Sequence, residues 1–111
     1  MEDKFEEVEG KIKVISTTST TLTAEVNKYY DFSETVNTLS VTLPTPSDTT
    51  SLSSVLLRFT TGTTPNVTIT STSDVYWYDG YEIEAESTYE VNCLFNGSNW
   101  TIAAMKIGGG V

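Results

Sequence analysis

The sequence predicts an all-β domain, built as an antiparallel β-sandwich or a jelly-roll-like barrel of about seven to nine strands. Several runs alternate apolar and polar residues, which is the pattern of half-buried strands. Thr and Ser together make up about three in ten of the 111 residues, and β-branched Thr favours strands over helices. We divide the chain into an acidic leader over residues 1–15, a β domain over 16–107 and a Gly-rich tail over 108–111.

The leader contains a short apolar stripe. Its residues Phe5, Val8, Ile12 and Ile15 are spaced three, four and three positions apart, as on one side of a coiled-coil helix. Because so narrow a stripe needs partner chains to cover it, the pattern predicts an oligomerisation or attachment seam. The alternative is a charged segment that runs into a strand over residues 11–16. Gly10 favours this alternative, since glycine weakens a helix.

Apolar residues at every second position predict two strands in the first half of the β domain. They are Leu22, Ala24 and Val26 in the first run and Leu39, Val41 and Leu43 in the second. A turn at Asn27 and Lys28 should follow the first strand. The second strand should end at Pro44, because proline donates no ladder hydrogen bond.

The run over residues 54–61 predicts a central strand, because its neighbouring apolar residues need cover on both faces. Arg58 is an isolated cation in an acidic chain, and we expect it to form a structural ion pair with a carboxylate. A turn that contains Gly and Pro should follow over residues 62–65, and a further strand should cover residues 66–71.

An aromatic segment supplies the candidate surface. Alternation sends Val75 and Trp77 inward and leaves Tyr76 and Tyr78 outward. The outward tyrosines and Tyr81 are candidates for surface binding or subunit contact. Tyrosine offers a ring that can stack on sugars, and it is also enriched at protein interfaces.

A closing hairpin is predicted between residues 88 and 106. Its first strand places four residues on one face, namely Tyr89, Val91, Cys93 and Phe95. Its turn over residues 96–99 consists of Asn, Gly and Ser, and Asn and Gly accept the positive φ of a tight turn. Cys93 should be buried and inert. The side chains that we expect in the core are Val41, Leu43, Leu57, Phe59, Trp77, Val91 and Phe95.

Charge and composition narrow the classes of partner and reaction. The formal charge is −9, with 15 acidic and 6 basic residues, which argues against nucleic acid and anionic membranes as partners. The chain has no His, so it lacks the usual general base and the commonest metal ligand. We therefore expect no catalytic residue, no metal ion and no cofactor. The charged first residues are unlike a signal peptide, so we expect synthesis and folding in a cytoplasm.

The candidates for chemistry are the acidic residues Glu82, Glu84 and Glu86. On an extended strand they would share one face about 6.5–7 Å apart, within the separation of carboxylates in inverting glycosidases. Calcium binding is a second alternative, because oxygen clusters suit that ion. The simplest interpretation is a solvated acidic face, because charged side chains are mostly exposed to water.

Six short motifs follow one another in a recognisable order. They are Tyr-Tyr-Asp-Phe at 29–32, Leu-Ser-Val-Thr-Leu-Pro at 39–44, Leu-Arg-Phe-Thr-Thr-Gly at 57–62, Val-Tyr-Trp at 75–77, Tyr-Glu-Val at 89–91 and Asn-Gly-Ser-Asn-Trp at 96–100. This order resembles small β-domains of tailed-bacteriophage virion structural proteins, such as tail-fibre, head-fibre and minor structural modules. The resemblance covers residues 20–107 and carries over no active-site residue.

The resemblance implies a non-enzymatic virion component, made in the host bacterial cytoplasm and carried on the particle. It implies a homo-oligomer, usually a trimer, that contacts other virion proteins and, in some cases, a host surface glycan. The alternative is a carbohydrate-binding or adhesin-like β-sandwich of a bacterial surface protein, against which the missing export signal counts. An enzyme is the third class, and the missing His counts against it.

Overall fold

The structure is a computed structural model that describes residues 13–18, 20–47, 49–78 and 83–109. Within these ranges the chain forms eight strands and no helix. The strands are β1 (Lys13–Thr17), β2 (Thr21–Thr23), β3 (Lys28–Phe32), β4 (Val36–Thr42), β5 (Ser53–Thr70), β6 (Asp74–Trp77), β7 (Ser87–Phe95) and β8 (Asn99–Gly109). The predicted all-β class is therefore confirmed.

The strands join in one mixed sheet, in which the long strand β5 belongs to two ladders. The large ladder has the order β1-β3-β5-β7-β8-β6 and uses the first half of β5, whereas the small ladder consists of β2, β4 and the second half of β5. Of the seven pairings between the described strands, five are parallel, and only β5–β7 and β7–β8 are antiparallel. The predicted antiparallel sheet is wrong, because alternation determines the face of a side chain but not the direction of the neighbouring strand.

The parallel pairs arise because the chain passes back and forth between the two ladders. Strands β1, β3 and the first half of β5 lie side by side in the large ladder, and β2, β4 and the second half of β5 lie side by side in the small one. Each return places a strand beside an earlier one in the same direction, as parallel pairing requires. We call residues 13–70 the coil, and β7 with β8 the hairpin.

Strand β5 continues through the segment for which a turn is predicted. It runs unbroken from Ser53 to Thr70, so the turn over residues 62–65 is wrong. The small ladder is irregular there, since the register with β4 skips residues 62–65 of β5. This irregularity lets β5 leave one ladder and enter the other without reversing direction.

We call the irregular segment of β5 around residues 61–66 the bend, because a bulge bends the strand that carries it. The loop before β7 is hydrogen-bonded to this segment. The buried Thr61 hydroxyl donates to the carbonyl oxygen of Glu84 at 2.7 Å and accepts the backbone N–H of Ser87 at 3.0 Å. The backbone N–H of Glu86 donates to the carbonyl oxygen of Gly62 at 2.9 Å. These bonds satisfy polar groups that the bend removes from water, which would otherwise destabilise the fold.

The buried side chains of both ladders belong to one cluster. Six predicted core residues are at most 2% exposed and are confirmed, namely Val41, Leu43, Leu57, Phe59, Val91 and Phe95. Trp77 is only partly buried and packs against the cluster. The fully buried ring of Trp100 lies 5.3 Å from that of Phe95, and its indole N–H donates to the carbonyl oxygen of Pro44 at 3.0 Å.

The predicted hairpin is confirmed as β7 and β8, which pair in antiparallel register. In the turn between them Gly97 has a φ of 104°. The side-chain oxygen of Asn96 accepts the backbone N–H groups of Ser98 and Asn99 at 2.9 and 3.0 Å. A polar side chain thus replaces the ladder bonds that end at the turn.

The structure moves two predicted boundaries. Strand β1 begins at Lys13, inside the predicted leader, and β8 ends at Gly109, inside the predicted tail. Ile15 lies in β1 and packs against the core cluster, so a helical stripe that includes Ile15 is wrong and the predicted strand is confirmed there. The remaining members of the predicted seam lie outside the described residues; they are Phe5, Val8 and Ile12.

Candidate interaction surface

The outward side of the large ladder is the candidate functional surface. Seven large apolar side chains are exposed among the described residues, and all but Leu52 belong to strands of this ladder or directly follow one. These six are Val14, Tyr76, Tyr78, Leu94, Met105 and Ile107. A concentration of exposed apolar side chains on one face differs from the single scattered residues that soluble proteins usually carry.

One row of outward residues crosses all six strands of the large ladder. Its members, in order from β1 to β6, are Val14, Tyr29, Leu56, Asn92, Ala103 and Tyr78. Tyr78 completes the row because it follows Trp77, which pairs with Ile102. Five strand spacings make the row about 24 Å long. We call these six residues the cross-strand row, and none of them is charged.

A hydrogen-bonded polar group lies beside the centre of this row. The Tyr29 hydroxyl donates to Oε2 of Glu90 at 2.7 Å, and Nη1 of Arg58 donates to the same oxygen at 3.0 Å. Because β5 separates β3 from β7, the Tyr29 side chain must cross over β5 to reach Glu90. The ion pair confirms the prediction that Arg58 finds a carboxylate partner.

The three groups shift one another's protonation equilibria. The hydrogen bond to Glu90, followed by burial, raises the pKa of Tyr29. The hydrogen bond from Tyr29, reinforced by Arg58, lowers the pKa of Glu90 despite partial desolvation. Hydrogen bonds with Tyr29 and then Glu90 raise the pKa of Arg58. Around neutral pH the group therefore holds a neutral phenol, a carboxylate and a guanidinium, whose charges cancel.

The predicted tyrosines mark one edge of this surface. Tyr76 and Tyr78 point outward as predicted and are 54% and 69% exposed. Tyr76 lies beside Thr101 of β8, which in turn pairs with Leu94 of β7. The third predicted tyrosine, Tyr81, lies outside the described residues.

A small pocket lies beside Trp77, on the side of β6 that is opposite to Tyr76. Its volume is about 190 Å³, and it is lined by Val67, Thr68, Ile69, Thr70 and Trp77. Trp77 turns toward the core, as the alternation predicts, while its neighbour Tyr76 turns away. The lining has no titratable side chain, so the pocket offers no acid–base chemistry.

The predicted row of acidic residues is not formed in the described part of the chain. Residues 83–86 belong to no strand, and Glu86 has a φ of 51°. Glu84 forms an ion pair of 2.8 Å with Lys106, and this hydrogen bond raises the pKa of Lys106. Glu82 lies outside the described residues. In the ranges that the structure covers, no group of three or more His, Cys, Asp or Glu residues is placed to hold a metal ion.

Cys93 is the one thiol of the chain, and it is fully buried, as predicted. Burial raises the pKa of this thiol to about 12. A thiol is nucleophilic only as the thiolate, so Cys93 is unreactive near neutral pH. It acts as a small core residue.

The cross-strand row was missed by sequence reasoning, because its members come from six separate runs. Two apolar residues at outward positions carry the signal that points to it. Leu56 lies between the buried Val55 and Leu57, and Leu94 lies between the buried Cys93 and Phe95. An apolar residue on the solvent side of an alternating strand interrupts the pattern of a monomeric surface.

The described part of the chain contains no helix long and apolar enough to cross a membrane. No protein-family model, curated protein or solved structure matches the chain. Its function is therefore inferred from its residues and from the surface that they form.

Proposed function

We propose that this chain is a non-enzymatic structural module of a bacteriophage virion, a fibre or decoration component that enters the particle as a homo-oligomer. A trimer is the favoured assembly, and the proposed partners are other virion proteins and a host surface glycan. One observation carries the proposal, namely that exposed apolar side chains gather on the outward side of the large ladder. Such a face on a small acidic domain supports a role in assembly, because large exposed apolar patches mark interaction sites.

The virion location rests on the sequence motifs. The order of the motifs between residues 29 and 100 resembles that of small β-domains in tailed-phage structural proteins. The strongly acidic, Thr- and Ser-rich composition suits a protein that must stay dissolved until it is assembled. An intracellular origin also accords with the single, buried and unpaired cysteine.

The proposal includes a two-layer sandwich, in which the small ladder covers the inner side of the large one. Leu39 and Val67 of the small ladder share one buried cluster with Leu57 and Val91 of the large ladder. A jelly roll is built from antiparallel strands. The parallel coil therefore supports a sandwich rather than a jelly-roll barrel.

The proposed location is tested by proteomics of purified virions from a phage that carries this coding sequence. Peptides of the chain should copurify with intact particles, in a copy number that is a multiple of the oligomer. Light scattering on the full chain should give the mass of the oligomer. A chain that is abundant in the infected-cell lysate but missing from intact particles would contradict the proposal.

The second candidate function is glycan binding by an adhesin-like module. It is favoured by Tyr76 on β6 and Tyr78 directly after this strand, two exposed rings that are two positions apart in the chain. In a glycan array, replacement of both tyrosines by Ala should abolish binding, whereas Ser40→Ala on β4 should not. Glycan binding by a chain that is missing from virions would replace the first function by the second.

A further inference from the structure

We infer, on the basis of the proposed function, that the cross-strand row is the surface through which copies of this chain pack against one another. The sequence alone pointed to the leader and to the tyrosines at one edge. The strand registers instead assign the contact to the middle of the large ladder, around Leu56, Asn92 and Ala103.

Charge selects a second copy as the occupant of this surface. Each chain carries a net charge of −9, so two copies repel each other over most of their surfaces. The cross-strand row is uncharged, and the acids Asp31 and Glu90 in the row beside it both neighbour Arg58. Arg58 forms an ion pair with Glu90, and Asp31 leaves one excess negative charge, so two copies that meet here bring together only a small part of their net charge of −9 each. A basic partner would instead be attracted to the more acidic parts of the molecule.

The dimensions of the surface suit a contact between proteins. With one spacing counted for each strand, the six strands cover about 29 Å, and the row together with its two neighbouring rows covers about 20 Å along the strands. The neighbouring row on one side includes Leu94 and Tyr76, and the neighbouring row on the other side includes Met105. Each copy thus offers on the order of 500 Å², and two copies bury roughly 1,000 Å², which is the lower limit for a specific interface.

The side chains of the row are prepared for self-association. The Tyr29 ring is held by the hydrogen bond to Glu90, so it loses little rotamer freedom when a partner covers it. Asn92 lies in the middle of the row, and its amide carries both donors and an acceptor. Two Asn92 side chains can therefore bond to each other, as a polar residue that sets the register of an apolar interface does.

Cross-linking of the full chain tests the placement of the contact. In an Asn92→Cys variant, the new thiols should lie near the symmetry axis whether two or three chains meet, and a short bismaleimide should join them. Ser40→Cys places an exposed thiol on β4 of the small ladder and should give no cross-linked product. The wild-type chain is the background control, because its Cys93 is buried.

A charge substitution tests the same contact by a second route. Ala103→Glu places a carboxylate in the middle of the row, and light scattering should show association weakened at least tenfold. Ser40→Glu adds the same charge to the outward side of the small ladder and should associate like the wild type. Near-UV circular dichroism should be the same for both variants, because both positions face away from the core.

The possible outcomes separate this inference from the proposed function. A wild-type oligomer that neither cross-links through Asn92 nor responds to Ala103→Glu overturns the inference, while the virion function stands. A wild-type chain that is monomeric at every concentration measured overturns the inference and the homo-oligomer of the proposed function, and particle proteomics then decides the virion location separately. Cross-linking at Asn92 by a chain that is missing from virions supports the inference and overturns the function.

Discussion

The hairpin and the coil consist of similar Thr-rich strands, but different interactions determine how those strands pair. In the hairpin, the turn between Phe95 and Trp100 joins neighbours in the sequence, so the two strands need only fold back on each other. In the coil, Lys13 pairs with Lys28, and Lys28 pairs with Val55. Between the two members of each pair the chain forms another strand, which lies in the small ladder. Closing such separations costs more conformational entropy than closing a turn.

The difference shows where the information for each region lies. The hairpin is specified by turn residues and by one alternating strand, which act locally. The coil is specified by the burial of two inner faces and by the bend at Thr61, which exist only after both ladders form. We therefore expect the hairpin to be present early in folding and the coil to be completed late.

The largest effects should come from truncating one core residue in each region. Phe95→Ala in the hairpin should lower the free energy of unfolding by about 3–5 kcal/mol, and Leu39→Ala in the coil by about 2–5 kcal/mol. If the hairpin forms first, Phe95→Ala should mainly slow folding, and Leu39→Ala should mainly speed unfolding. Stopped-flow kinetics over a range of denaturant concentrations measures both rates. A larger slowing of folding by Leu39→Ala would reverse the proposed order.

The bend of the coil should depend on one hydroxyl group. Thr61→Val preserves the shape of the side chain but leaves the Ser87 N–H and the Glu84 carbonyl without this partner. The loss of one buried hydrogen bond and one partly buried hydrogen bond should cost roughly 1–3 kcal/mol in chemical denaturation. Thr60→Val is the matched control, since it removes only a bond to the Thr88 hydroxyl and should cost less than about 1 kcal/mol. Equal losses in the two variants would show that the bend does not depend on Thr61.

Alanine substitutions at two glycines, one in the turn of the hairpin and one at the bend of the coil, should have different effects on stability. Gly97 has a φ of 104°, and a Cβ there would overlap the backbone carbonyl oxygen of Thr49, which cannot move alone. Gly97→Ala should therefore destabilise the protein by roughly 1–3 kcal/mol. A Cβ at Gly62 would overlap only the side chain of Asn37, which is exposed and can turn aside. Gly62→Ala should shift the free energy of unfolding by less than about 1 kcal/mol, and thermal melts of the two variants test this difference.

The smallest effect should be a loss of stability in alkaline solution, caused by the ionisation of Cys93 in the hairpin. Burial raises the pKa of the Cys93 thiol to about 12 in the folded state, whereas an unfolded thiol titrates near about 8.5. Because the pKa of Cys93 is higher in the folded state, its contribution to stability is fully present at pH values below the pKa of the unfolded state. This contribution is lost as the pH rises toward the pKa of the folded state. At pH 9.5 the loss should be about 1.4 kcal/mol relative to pH 7. Cys93→Ala should be less stable at neutral pH and should lack this decline; an unchanged slope would assign it to other groups.

The position and facing of most strands could be predicted, because both follow from local alternation. Leu39 and Val41 in the coil and Val91 and Phe95 in the hairpin are buried where the pattern places them. The directions of the strands could not be predicted, because they depend on the whole path of the chain. Antiparallel pairing was expected throughout, but it occurs only where a tight turn or the return of β7 imposes it.

Gly and Pro usually interrupt strands, and for that reason the sequence predicts a turn at residues 62–65, where the structure has a continuous strand. Pro65 is tolerated within β5 because the register with β4 skips that segment, so its missing N–H removes no bond of that ladder. Gly62 lies at the bend, where its carbonyl oxygen accepts a bond from Glu86. These compensations involve residues distant in sequence, and no local pattern records them.

The candidate surface was predictable only at its edge. The outward facing of Tyr76 and Tyr78 follows from alternation within one strand. The cross-strand row depends on the sideways register of six strands, which is set by contacts between distant segments. Leu56 is the clearest case, because its role appears only when Tyr29 and Asn92 are placed beside it.

The coil could be lengthened without any change to the hairpin, because its repeating unit is one strand in each ladder. Each turn adds one strand to each ladder and leaves the next position open to a strand of the same direction. An inserted turn would therefore lengthen the large ladder by about 4.8 Å and leave the other pairings intact. Strand β7 stops this series, because it runs in the opposite direction to β5. The fold thus combines a body that could be extended one strand at a time with a terminus that could not be extended in the same way.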